Sequence, residues 1–207
     1  MNLNEVWEKI MNPLKSIPMT VALGFILSLV IILILSGENS GLNLWSLSTW
    51  LHVFFGIIWI GLLYYFNFVQ VPGVATAVAD KDGPGPAAIN KYIAPKALFY
   101  FRWGALLTWL TGASTLELAD GMSVHSAFAL QAGNEIIGIG AWLGTIMLLN
   151  VWGLIWPNQK KILGIKKATE SEIAKAKIVA LMASRTNTLL SIPMLMCMVG
   201  AGHGLPM

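Results

Sequence analysis

Five apolar runs, at 17–36, 45–69, 98–118, 129–156 and 178–201, constrain this chain before any motif is considered. A helix needs about 20 mostly apolar residues to cross the hydrocarbon core of a bilayer. Lipid also demands that each such segment satisfy its own backbone hydrogen bonds, which a helix does. Composition agrees: 56% of the 207 residues are hydrophobic and only 11% are charged, against about a quarter charged in an ordinary soluble domain. The expectation is an all-α integral membrane helical bundle with five transmembrane helices.

No polar stretch between the runs is long enough for a core of its own, so a single membrane domain over 1–207 is expected, with 1–16 as a cytoplasmic N-terminal segment. The first run follows charged residues and lacks a small-residue cleavage site, so it reads as an anchor and not as a signal peptide. Gly37 to Gly41, Pro72 with Gly73, Asp120 with Gly121, and Pro157 are read as the ends of spans.

Charge then sets the orientation. With the N-terminus inside, the inner segments hold Lys9 and Lys15, then Lys81, Lys91, Lys96 and Arg102, then Lys160, Lys161, Lys166, Lys167, Lys175, Lys177 and Arg185. These are all 13 Lys and Arg of the chain. The outer segments keep the acids Glu38, Glu117 and Asp120, with Glu135 just inside the fourth run. The positive-inside rule places the N-terminus in and the C-terminus out. The net charge of +3 is on this reading a topology signal, and no nucleic-acid partner is expected.

The chain has three histidines, and all fall on the outer side of that map. His52 lies inside the second run, "TWLHVFFGIIWIG", His125 in "DGMSVHSAFALQ", and His203 in "GAGHGLPM". An ionisable group within a membrane helix is costly and is a functional candidate by default. A hydrogen-bonded core histidine is the alternative for His52, and a solvated loop residue is the alternative for His125. Gly56 stands one turn beyond His52 and Trp59 one turn further on the same face. A small residue there leaves room for a flat macrocycle beside an axial histidine, or simply lets two helices pack closely.

Neutral imidazole suits iron, and two histidines from facing helices make a bis-histidyl haem b site. His52 and His203 are the candidate axial ligands and His125 the alternative. Glu135 could hold the second nitrogen of a histidine or relay protons. A copper centre is the competing cofactor, because Met122, His125, Cys197, Met198 and His203 offer soft ligands on one side. The single cysteine excludes an intrachain disulfide and a CxxCH haem attachment. With no outer Lys or Arg, haem propionates would depend on Trp45, Ser46, Ser48 or Trp50. The acidic outer face would attract a basic soluble partner such as a cytochrome c. Asn67, Asn150 and Asn187 read as bonds between helices, and Gly140 with Gly144 as a packing pair.

Three motifs in order, "WLHVFFGIIWIG", "FRWGALLTWLTG" and "NVWGLIWPNQKKIL" followed by "NTLLSIPMLMCMVGAGH", resemble the membrane domain of PuuD-type urate hydroxylases, the urate oxidase N-terminal domain family. More distantly, the early histidine is similar to those of HemJ-type oxidases and CopD-like copper-resistance proteins. The resemblance implies a helical bundle tied to respiratory redox chemistry, with His52 and His203 where that family has its histidines. Full-length members have more helices than five and end in a periplasmic cytochrome c domain, and the outward C-terminus here is on the side where such a domain would hang.

The leading expectation is a haem b-binding electron-transfer subunit of a bacterial inner membrane, multi-pass and part of a complex, exchanging electrons with a periplasmic cytochrome c or partner enzyme. A urate hydroxylase-like membrane oxidase is the second reading. A non-catalytic anchoring or assembly subunit, contacting other membrane subunits, is the third.

Overall fold

The computed structural model describes residues 12–36 and 41–206. The first eleven residues of the expected N-terminal segment, Lys9 among them, lie outside the described residues, as do Glu38 and most of the Gly37 to Gly41 breaker. The chain divides into two units, Met1–Asn43 and Leu44–Met207. In the first, a short turn at Pro13–Lys15 leads into α1 (Ile17–Leu35), which is apolar all round and has no buried residue. Such a helix suits lipid and not water.

The second unit contains α2 (Leu44–Ala79), α3 (Ala94–Leu118), the short α4 (Val124–Phe128), α5 (Glu135–Ile162) and α6 (Glu170–His203). No strand occurs among the described residues. Among the described residues four helices, α1, α2, α5 and α6, are long and apolar enough to cross a membrane, so the protein is a multi-pass membrane protein. The 25 residues of α3 reach about 37 Å, but Lys96, Arg102, Glu117 and several threonines dilute its hydropathy.

Two expected breakers fail to break. Pro72 and Gly73 lie inside α2, and Pro157 lies inside α5. The reason is visible just upstream: π-helical segments occupy Tyr65–Gln70 and Asn150–Ile155, and a third, Ile89–Ile93, precedes Pro95. Proline lacks an N–H and clashes with the carbonyl one turn back. A π turn inserts a residue into the ladder and relaxes both demands, so the helix continues. The fourth run also starts later than expected. Residues 129–134 form a turn with Leu130 at φ 50 and Gly133 at φ 87, and α5 begins at Glu135. Conversely, α6 begins at Glu170 and not near 178, because Thr169 and Glu172 form a reciprocal cap there.

The four long helices of this unit pack as an antiparallel ring. Ser48 donates to the Thr111 carbonyl at 3.0 Å and Phe66 meets Phe101 edge-on, joining α2 to α3. Trp109 Nε1 donates to Thr145 and Trp152 Nε1 to the Arg102 carbonyl, joining α3 to α5. Asn150 Nδ2 donates to Asn187 Oδ1 at 2.9 Å and Asn187 Nδ2 to the Met147 carbonyl at 2.9 Å, joining α5 to α6. Tyr64 with Ser191, and Asn67 Nδ2 donating to Ser184, close α6 onto α2. The core inside this ring includes Trp59, Leu63, Phe101, Met147, Val151 and Met194.

The asparagines are structural, as their positions implied. Asn187 is fully buried, and its removal strands the Asn150 amide and one acceptor. Asn187→Ala should lower unfolding free energy in detergent by about 1–2 kcal/mol, at the upper range for interhelical bonds in membranes. Asn158→Ala, whose amide bonds only to the Leu154 carbonyl of its own helix, should be near neutral in the same denaturation series.

This topology sorts charge by end. Lys81, Lys91, Lys160, Lys161, Lys166, Lys167, Lys175 and Lys177 lie at the end where α2 leads to α3 and α5 to α6; Arg102 and Arg185 lie on that half of their helices. Arg102 rests over the Trp156 ring at 3.9 Å and near Phe99 at 5.3 Å, which lets a cation sit in an apolar setting. Glu117, Asp120, Glu135 and all three histidines lie toward the opposite end.

Candidate functional site

The α2–α3 contact is built from small and hydroxylated residues. On α3, Gly104, Thr108 and Gly112 recur every four residues, with Thr111 and Thr115 beside them; Ser48, His52 and Gly56 recur the same way on α2. A Cβ at Gly104 would lie 3.3 Å from Ile58 Cγ2 and 3.5 Å from the Trp59 backbone nitrogen. Small residues at this spacing bring two helix backbones together, and the hydroxyls then bond across the seam. Thr115 donates to Ser48 at 3.2 Å, and Ser48 to the Thr111 carbonyl. The Ser48 hydroxyl is thereby engaged within the seam.

His52 is set into this seam, half-buried. Its Nδ1 lies 2.8 Å from the Thr108 carbonyl oxygen. A carbonyl can only accept, so Nδ1 carries the proton and, in the neutral ring, Nε2 keeps its lone pair. Nε2 has no hydrogen-bond partner among the described residues. A backbone carbonyl fixing Nδ1–H while Nε2 stays open is the arrangement that prepares histidine to ligate a metal. The ring packs against Gly112, where a Cβ would come 2.8 Å from Cε1 and 2.9 Å from Nδ1. Gly56 faces Thr108 Cγ2, with 3.8 Å available to a Cβ. That is ordinary contact, so the seam has room for a Cβ at Gly56.

The other sequence candidates are placed as follows. Trp59 is 2% exposed in the core, and its Nε1 has no partner; a buried indole N–H of this kind is a donor open to a water or to a bound group. His203 is the exposed last residue of α6, its Nδ1 3.2 Å from the Val199 carbonyl, again leaving Nε2 open. His125 is exposed on α4. Glu135 is exposed at the start of α5 and accepts from the Gly133 N–H at 2.8 Å, so it completes a helix N-terminus. The Nδ1 atoms of His52 and His203 meet the Thr108 and Val199 carbonyls, and Glu135 meets the Gly133 N–H. Cys197 is buried against Gly140, which also meets Met198. Among the described residues no three of His, Cys, Asp and Glu gather as a metal-holding group.

His52 and His203 share a depth. Tyr64 bonds to Ser191 across α2 and α6, and each histidine lies twelve residues from that bond toward the same end. At 1.5 Å per residue both are about 18 Å along their helices from it. Two imidazoles with Nδ1 on a backbone carbonyl thus lie at about the same depth near the acidic end of the bundle.

Thr108 and Gly112, which position His52, were missed in the sequence. The signal was there: Gly104, Thr108 and Gly112 form a ladder of small residues inside the quoted "FRWGALLTWLTG". No curated protein and no solved structure matches the chain. Residues 118–206, from the end of α3 through α6, match the model of the urate oxidase N-terminal family.

Proposed function

We propose that this chain is a haem b-binding membrane subunit that exchanges electrons with a soluble cytochrome c or partner enzyme at its histidine-bearing end. On the same reading that end faces the periplasm of a bacterial inner membrane, with the basic end toward the cytoplasm. The observation that carries the proposal is His52: an imidazole inside a membrane helix, its Nδ1–H fixed on the Thr108 carbonyl and its Nε2 open. His203 at the same depth is the second ligand. Bound there, a haem supplies one-electron chemistry at a potential set by its axial ligands and surroundings. The chain's own part is to orient His52 through Thr108 and Gly112, to shield the site with the packed core below it, and to offer Glu117 and Asp120 to a basic partner.

The protein purified in mild detergent should carry a reducible b-type visible spectrum and iron. A colourless, iron-free sample from haem-replete cells overturns the proposal in favour of an anchoring subunit, and copper without haem overturns it in favour of a copper site. A urate-oxidising activity is the second reading, favoured by the family match over residues 118–206. Its test is turnover of urate with a quinone or cytochrome c acceptor, which the electron-transfer reading does not require.

The partner surface makes its own prediction. Glu117 and Asp120 are exposed, and steering by exposed charge weakens with ionic strength. The bimolecular rate of electron exchange with a basic cytochrome c should fall about tenfold from low to physiological salt. The Glu117→Gln, Asp120→Asn double variant should flatten that dependence in stopped-flow measurements.

A further inference from the structure

At the opposite, basic half of the bundle, an open groove of about 430 Å³ runs between α2 and α6, lined by Asn67, Phe68, Arg185, Thr188, Leu189 and Ile192. Its composition is graded. Arg185, Thr188, Leu189 and Ile192 recur on one face of α6 at helical spacing, with the cation nearest the basic end and the aliphatic side chains toward the middle of the helix. Phe68 extends the apolar wall from the π-helical segment of α2.

The polar groups of this groove are not equally available. Both amide hydrogens of Asn67 are engaged, with the Leu63 carbonyl at 2.9 Å and Ser184 at 2.8 Å, and the Thr188 hydroxyl donates to the Ser184 carbonyl. Arg185 is exposed, and among the described residues no carboxylate lies within ion-pair distance of it and no acceptor takes its N–H groups. A guanidinium is permanently charged and presents a planar fork of five donors suited to phosphate oxygens. A cation at the mouth of an apolar trough in a membrane protein, without an internal counter-ion, calls for an anion that carries its own hydrocarbon.

We infer that the groove binds an anionic phospholipid, its phosphate on Arg185 and its acyl chain along Phe68, Leu189 and Ile192. Asn67, fixed by Ser184, braces α2 against α6 and holds the groove's width. A lipid seated there stabilises the α2–α6 contact, because a ligand that binds only the folded state raises its stability by mass action.

The test is thermal unfolding of the purified full chain in a neutral detergent, with added phosphatidylglycerol, phosphatidylcholine or inorganic phosphate. Phosphatidylglycerol should raise Tm by about 4 °C, and phosphatidylcholine and inorganic phosphate should not. Arg185→Gln should abolish the shift, Arg185→Lys should keep part of it, and Lys177→Gln, on the same helix outside the groove, should keep all of it. Native mass spectrometry of the wild-type protein, with the two lipids in competition, should show retained phosphatidylglycerol and gives an answer even if Arg185→Gln fails to fold. An equal shift in Arg185→Gln, or equal effects of the two lipids, overturns the inference. So does a shift given by phosphate alone, which would mean a free-anion site, or by a short-chain quinone and not by phosphatidylglycerol.

Discussion

His52→Ala is expected to give a folded protein that has lost at least about nine-tenths of its b-type absorption, since deleting an axial ligand removes more than the 10–100-fold in affinity typical of outer groups. The packing around His52 explains why folding should survive. The ring is half-buried in a seam already joined by Ser48, Thr111 and Thr115, and the core below it from Trp59 to Phe66 does not depend on it. Removing the imidazole leaves the Thr108 carbonyl with the Thr111 hydroxyl at 3.1 Å as a remaining partner. Loss of colour with retained helicity and unchanged elution in size-exclusion chromatography would identify a ligand. Loss of expression together with colour would identify a packing residue.

The second large effect separates Gly112, which the sequence reading missed, from Gly56, which it singled out. Gly112→Ala places a methyl group 2.8 Å from His52 Cε1, a distance that real side chains do not tolerate, so the ring must turn and give up its bond to Thr108. Haem affinity should fall about 10–100-fold, as when the orienting partner of a metal-bound histidine is removed. Gly56→Ala adds its methyl group at 3.8 Å from Thr108 Cγ2, an ordinary contact, and haem affinity should stay within about 3-fold, a change under 1 kcal/mol. Spectral titration of both apo-variants with haemin measures this contrast. Equal affinities would mean that Gly112 does not set the ring.

The long apolar helices were legible because hydropathy over a 20-residue window reports what lipid requires. Their extent was not, because Pro72 and Pro157 break an α-helix only when the ladder around them is α-helical, and hydropathy carries no trace of the π segments at Tyr65–Gln70 and Asn150–Ile155. His52 was legible as a costly residue in the wrong solvent. Its partner was not, because the group it meets is a backbone carbonyl, which every residue has. Glu135 was read as holding a histidine nitrogen, relaying protons or simply ending a helix, and the structure puts it at the first position of α5, accepting from the Gly133 N–H. The family match begins at residue 118. It takes in His125, Glu135 and His203 but not His52, so the case for His52 rests on the α2–α3 seam itself.

The central claim is that His52 and His203 hold one haem between them, and the reduced spectrum of the purified protein with and without carbon monoxide tests it most directly. A haem with both axial positions filled by histidine should leave the wild-type spectrum unchanged by carbon monoxide, and His203→Ala should convert it to one that responds. A wild-type spectrum without b-type bands, or bands that persist in His52→Ala, would contradict the account.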